Sequence, residues 1–229
     1  MKVGIIAEGW DDCGVICNIV TKLVPIDSSD DIKFIRPKED ATDGDDDAFS
    51  NWNIVRQECI DKTEVDKFFS LFPNEDKLLI VHIDTAECED YGIARPLKEN
   101  ADLENYSTGL RNLVIGQITN WLGTIPNCNV THAIAIEEIE AWVIALLDDS
   151  LRLDTSSIND PKNQLAIRLK TFMNSKSLKL YKSLKSNNGA FESSIFLSGR
   201  LTRKKDRQKA EDYNHSLYLF CEELRRLFP

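Results

Sequence analysis

Three short apolar runs end in carboxylates. Residues 2–7 lead into Glu8, Gly9, Asp11 and Asp12. Residues 79–83 lead into Asp84, with Glu87, Glu89 and Asp90 beyond it. Residues 133–136 lead into Glu137, Glu138 and Glu140. Carboxylate oxygens are hard ligands suited to magnesium or manganese. If each run is a buried parallel strand, its acids sit at the strand's carboxyl end, where α/β sheets bind ligands. Three such ends in one crevice would hold a divalent cation. The cation would polarise a phosphate, lower the pKa of an attacking water and relieve repulsion among the acids.

Each acid also has a plainer reading. Asp11 and Asp12 could cap a helix, with Gly9 allowing the tight turn into it. Asp84 could be a turn residue. Glu137, Glu138 and Glu140 suit the first turn of a helix, where the macrodipole favours acids. His82 lies inside its apolar run and reads as a packed, hydrogen-bonded residue rather than a general base. The chain has neither a GxxxxGK[ST] phosphate loop nor a GxGxxG dinucleotide fingerprint.

The elements that must position these acids follow from periodicity. Strands are predicted over 2–7, 32–35, 77–83 and 129–136. Helices are predicted over 11–23, 52–69, 107–122 and 138–147. A charged loop, 39–47, carries three consecutive aspartates and is expected to be mobile; it could also shield the site from large nucleic acids. An irregular acidic insert spans 87–104. Beyond Pro161 the pattern is helical throughout, with helices over 164–174, 178–184, 195–201 and 209–227. The alternation predicts an α/β fold, a Rossmannoid sandwich on a mostly parallel four-stranded sheet. It divides into an α/β domain over 1–150 and a helical, basic C-terminal extension over 151–229 packed on it.

The order of motifs resembles the Toprim-like proteins of the OLD and RloB type. The resemblance covers about residues 1–148. Its most specific parts are the Glu8-Gly9 turn and the Glu138-Ile139-Glu140-Ala141-Trp142 stretch. It implies a Toprim-like fold that binds Mg2+ or Mn2+ and acts on nucleic-acid phosphodiesters. It implies Glu8 as acid-base group or first metal ligand, Asp84 as principal ligand, and Glu138 or Glu140 as a further one. Asp12 lies close enough to return to the same crevice. The family's Asp-x-Asp is broken, because Ala86 stands at the second aspartate. Glu87, one residue later and one methylene longer, is the expected substitute.

Charge is split along the chain. Residues 1–160 hold 32 acids and 13 bases, whereas residues 161–229 hold 6 acids and 15 bases, so a basic tail follows an acidic body. Arg200, Arg203, Lys204 and Lys205 belong to the densest basic segment and are candidates for phosphate-backbone contacts. Lys176, Lys179, Lys182 and Lys185 recur every three residues. Tyr181, Phe191 and Phe196 lie nearby, as core residues or as stacking platforms. The competing reading is a tail that folds against the acidic body.

No run is long enough to span a membrane, and no signal peptide is evident. The six cysteines show no paired CxxC spacing and read as free thiols of a reducing cytoplasm. The leading expectation is a Mg2+- or Mn2+-dependent nuclease acting on DNA or RNA, in bacterial anti-phage defence. The alternative is a catalytically silent binding or sensor subunit working with an ATPase partner. A third reading is phosphoryl chemistry on small substrates. A homo-oligomer is left open.

Overall fold

The structure is a computed structural model. It describes residues 1–38, 51–98, 102–126, 128–151, 153–186 and 189–229. The predicted loop over 39–47 lies outside these residues.

Four strands form one sheet: β1 (Lys2–Ile6), β2 (Ile32–Arg36), β3 (Lys77–Asp84) and β4 (Asn129–Ala135). Their order is β2-β1-β3-β4 and every pairing is parallel. The fold class read from the sequence is the observed one, with all pairs parallel rather than most. The chain leaves β1 toward β2 on one side, then returns to place β3 on the other side of β1. The carboxyl ends of β1 and β3 therefore flank the point where the winding reverses, which is where such sheets bind ligands.

Helices cover both faces. On one face lie α2 (Trp52–Asp61), α3 (Thr63–Leu71) and α4 (Leu103–Leu122). They close a core with Leu79, Val81 and Ile83 of β3. On the other face lie α1 (Trp10–Leu23) and α5 (Glu140–Leu147), which pack on Leu78 and Ile80. The two-residue period of a strand makes this division. It also places His82 and Asp84 on the α1 side, with Leu78 and Ile80.

Five more helices follow: α6 (Pro161–Phe172), α7 (Ser175–Ser186), α8 (Ala190–Ser198), α9 (Lys204–Asp212) and α10 (His215–Leu227). Residues from these helices, among them Leu165, Leu197, Ala210 and Phe220, share one apolar core with β1 and α1. Phe220 stacks on the buried Trp142 at 5.8 Å between ring centroids, and the Trp142 indole donates to Ser216 Oγ at 2.8 Å. Helix α8 seats on α1 at Gly14, where a Cβ would come within 1.9 Å of Ser194 Oγ and 2.9 Å of the Phe191 carbonyl oxygen. Asn18 holds the same contact by donating to the Ile195 carbonyl and to Ser198 Oγ.

Two expected helices are each two. The 52–69 helix breaks at Lys62, which takes a left-handed conformation with φ 55°. There Glu58, 1% exposed, accepts the amides of Glu64 and Val65 as well as Arg36. The 209–227 pattern likewise divides before His215, where the Asn214 side chain caps α10 by accepting the Leu217 amide. Neither break carries the glycine or proline that sequence reasoning looks for.

Candidate metal centre

Glu8 follows β1 and turns its carboxylate across to β3, where Oε1 accepts the Asp84 amide at 2.7 Å. The bond ties the two strand ends at the winding reversal. Asp12 lies in the first turn of α1, with Oδ2 accepting the Gly9 amide at 2.7 Å. That bond fixes the helix start and aims the carboxylate back over the sheet. Its Oδ1 lies 3.7 Å from His82 Nε2, and Asp84 Oδ1 lies 3.4 Å from the same nitrogen.

The His82 ring is wholly buried, and its Nδ1 lies 2.6 Å from the Ala133 carbonyl oxygen. A carbonyl can only accept, so Nδ1 carries the hydrogen and Nε2 faces the two aspartates. His82 Nε2 and Asp84 Oδ1 are both buried without an aligned hydrogen-bond partner. They face each other at 3.4 Å, so in the metal-free protein a protonated Nε2 meets the carboxylate as a poorly aligned ion pair that a cation could replace. Asp12, His82 and Asp84 form a group that could hold a metal ion, with one ligand atom from each all within 4.8 Å of one another. The imidazole is held from behind by a backbone carbonyl, as metal-bound histidines usually are. The Asp84 side chain is 21% exposed, so the group keeps one open side.

The electrostatics reflect crowding. Burial, reinforced by the Asp84 charge, pushes the Glu8 carboxyl up to about 8. Burial also pushes Asp84 up to about 7; His82 opposes the shift, and Asp12 and Glu140 add to it. Glu140, in the first turn of α5, is raised to about 7 by burial and then by Asp12. Burial alone would lower His82, but Asp12 and Asp84 outweigh it and hold the ring well above its usual value. Lys162, in the first turn of α6, is raised first by Glu140 and also by Glu138, Asp11 and Asp12.

Of the residues singled out from sequence, Glu8, Asp12, Asp84 and Glu140 are brought together. Glu138 is turned to a different task, its Oε2 accepting the Lys162 amide at the start of α6 at 2.9 Å. Glu87 is exposed, on the turn that follows β3, and is not among the residues whose ligand atoms converge. Ala86 is exposed on the same turn, its amide donating to the Glu137 carbonyl and its own carbonyl accepting from Arg95. The pair that projects from β3 is thus His82-x-Asp84, two residues earlier than the expected Asp-x-Asp. The signal was present, because residues two apart on a strand share a face. Lys162 was missed outright, since nothing in the local sequence ties it to the three acidic runs.

The basic tail divides by residue type. Arg200 and Arg203 both pair with Asp206, at 2.9 and 2.6 Å, and Lys209 pairs with Asp149. Arg207 is buried and donates to the Leu201 carbonyl. Lys204 and Lys205 are exposed, as are Lys176, Lys179, Lys182 and Lys185 on α7. At 100° per residue the α7 lysines spread over half the helix circumference rather than one face. Phe191 packs edge-on against Trp10 and Phe34, as a core aromatic would. All six cysteines are free thiols. No helix among the described residues is long and apolar enough to cross a membrane.

Compared with known proteins, the chain matches no family model, no curated protein and no solved structure.

Proposed function

We propose that the chain is a metal-dependent phosphodiester hydrolase acting on nucleic acid, with Asp12, His82 and Asp84 holding the cation. One observation carries the reading: His82 Nε2 and one carboxylate oxygen each from Asp12 and Asp84 lie within 4.8 Å of one another, and neither Nε2 nor Asp84 Oδ1 makes an aligned hydrogen bond. An imidazole nitrogen with two carboxylates favours manganese over magnesium, which prefers oxygen alone. When bound, the cation would supply charge neutralisation at a phosphate and a more acidic water.

The chain's own residues supply the rest. Ala133 orients the His82 ring through its carbonyl. Glu8 stands beside the group, held to the Asp84 amide, with a raised pKa suited to moving a proton at neutral pH. We assign it the proton that a leaving oxygen requires. Lys162 offsets the acids at the rim and can hold a phosphate oxygen. The resemblance to Toprim-like proteins points the same way in chemistry, with His82-x-Asp84 in place of Asp-x-Asp. A role in anti-phage defence, or beside an ATPase, rests on that resemblance alone. The exposed lysines of α7 and of 204–205 support a polyanionic substrate.

The test is a cleavage assay on single-stranded and duplex DNA and RNA with Mn2+, run on the wild type, Asp84→Asn and His82→Gln. Mn2+-dependent cleavage lost in both variants supports the reading. Metal-independent cleavage, or full activity in either variant, rejects it.

A further inference from the structure

Beside the acidic group lies a chamber of about 140 Å³, lined by α1, α5, α6, α7 and α8 and open to solvent on one side. Its walls are apolar: Val15, Val143, Leu165, Leu169 and Leu197. Its polar lining consists chiefly of two acids and two bases, Asp11 and Glu140 with Lys162 and Lys185. Glu140 belongs to both places. It lines the chamber, and its charge acts on Asp12 and Asp84. Lys162 and Ala166 are exposed where the chamber meets solvent.

Size and polarity narrow the occupant. An apolar cavity of roughly 150 Å³ takes up one benzene ring, so the space within this chamber matches one six-membered ring. The walls suit a ring face. The carboxylates and ammonium groups at its margin suit a ring edge that carries both donors and acceptors. Lys162, between chamber and acids, suits a phosphate attached to that ring's sugar.

We propose that the chamber is a base subsite that receives a single unstacked pyrimidine nucleotide, its phosphate directed to Lys162 and the metal centre. The proposal rests on the metal-dependent reading above and names the substrate class of that site. A purine's second ring would extend beyond the apolar walls toward the solvent-facing margin at Ala166. A base inside a duplex could not enter, so a strand end or single strand is implied.

The experiment is isothermal titration of the full chain with Mn2+, and then of the same sample with CMP, UMP, AMP, GMP, inorganic phosphate and leucine in turn. CMP and UMP should bind about tenfold or more tightly than AMP, GMP or phosphate, the usual scale of steric discrimination by an apolar pocket. Ala166→Trp fills the exposed margin of the chamber without touching the β-sheet core. It should abolish the pyrimidine preference while the Mn2+ isotherm stays as in the wild type. Lys162→Ala should weaken all four nucleotides together. Mn2+ binding without a pyrimidine preference would overturn the subsite and leave the metal reading standing. A pyrimidine preference unchanged by Ala166→Trp would also overturn it. Tighter binding of leucine than of CMP would assign the chamber to a zwitterion instead. A pyrimidine preference with no Mn2+ binding would support the subsite and sink the metal reading.

Discussion

Two acidic groups stand at the same edge of one sheet and are treated in opposite ways. At the end of β4, Glu137 takes a left-handed conformation, φ 65°. Its carboxylate is gripped by Arg95 at 3.1 and 3.0 Å and by Lys98 at 3.0 Å. Its amide donates to Thr85 Oγ1, and its carbonyl accepts the amides of Thr85 and Ala86. At the end of β3, the Asp12–His82–Asp84 group has no arginine or lysine bonded to it among the described residues, and His82 Nε2 and Asp84 Oδ1 face each other without an aligned hydrogen bond. The first group is satisfied from within the chain and behaves as a joint between β3 and β4. The second sets two carboxylates against one imidazole in poor hydrogen-bond geometry, which is how a ligand site differs from a well-made structural ion pair.

Breaking the comparison on the metal side should have the largest effect. Asp84→Asn or His82→Gln should cut Mn2+-dependent cleavage about 100-fold or more, the scale of losing a key electrostatic element, measured as single-turnover rate. The melting temperature of metal-free Asp84→Asn should hold or rise, because a crowded negative charge has been removed, whereas His82→Gln removes the cation facing Asp12 and Asp84 and should lower it.

Breaking the structural joint should do the reverse. Glu137→Ala strips a charged acceptor from Arg95 and Lys98 and should cost about 2 kcal/mol, in the range for hydrogen bonds to charged groups. Urea unfolding measures it. Mn2+ affinity should change far less than in Asp84→Asn.

The pH profile sharpens the contrast. Glu8, near 8, and Asp84 and Glu140, near 7, are all raised by folding. A raised carboxyl is stabilised protonated, so its penalty grows as pH climbs from the ordinary carboxylate value through the folded one. His82 is also raised, so the stability it contributes is present below its unfolded value and is lost as pH rises through the folded value. Both signs agree. The metal-free protein should melt at a lower temperature at pH 9 than at pH 6, and saturating Mn2+ should flatten the difference. A metal-free melt that is flat or rises between those values would contradict the electrostatics.

The smallest expected effect is at the substitute motif. Glu87→Ala should alter Mn2+ affinity less than about twofold, as expected of a surface change remote from the site. A large loss would return Glu87 to the metal.

Much of this was legible in the sequence. Apolar runs gave the strands, and their carboxyl ends gave Glu8, Asp84 and the neighbourhood of Glu140. Asp12 was legible because a helix start four residues after a strand end must sit above that end. His82 was hidden by its own burial, since a histidine in an apolar central strand looks like core. Only its spacing from Asp84 betrayed it. Glu87 misled because sequence offset counts residues, whereas the turn after Asp84 swings outward, pinned where Arg95 binds the carbonyls of Thr85 and Ala86. Lys162 and the chamber were out of reach, because they exist only where α6, α7 and α8 close on α1 and α5. The basic tail was half legible. Its composition suggested a phosphate surface, but its arginines go largely to acids of the same chain and leave the lysines exposed.

On the proposed function, His82 Nε2 faces a metal. Pulsed electron paramagnetic resonance of the Mn2+-loaded protein reads it directly, as the coupling of a directly bound ring nitrogen to the electron spin. That coupling is expected in the wild type and should be lost in His82→Gln. Mn2+ bound with no nitrogen coupling, or a coupling that survives His82→Gln, would contradict it.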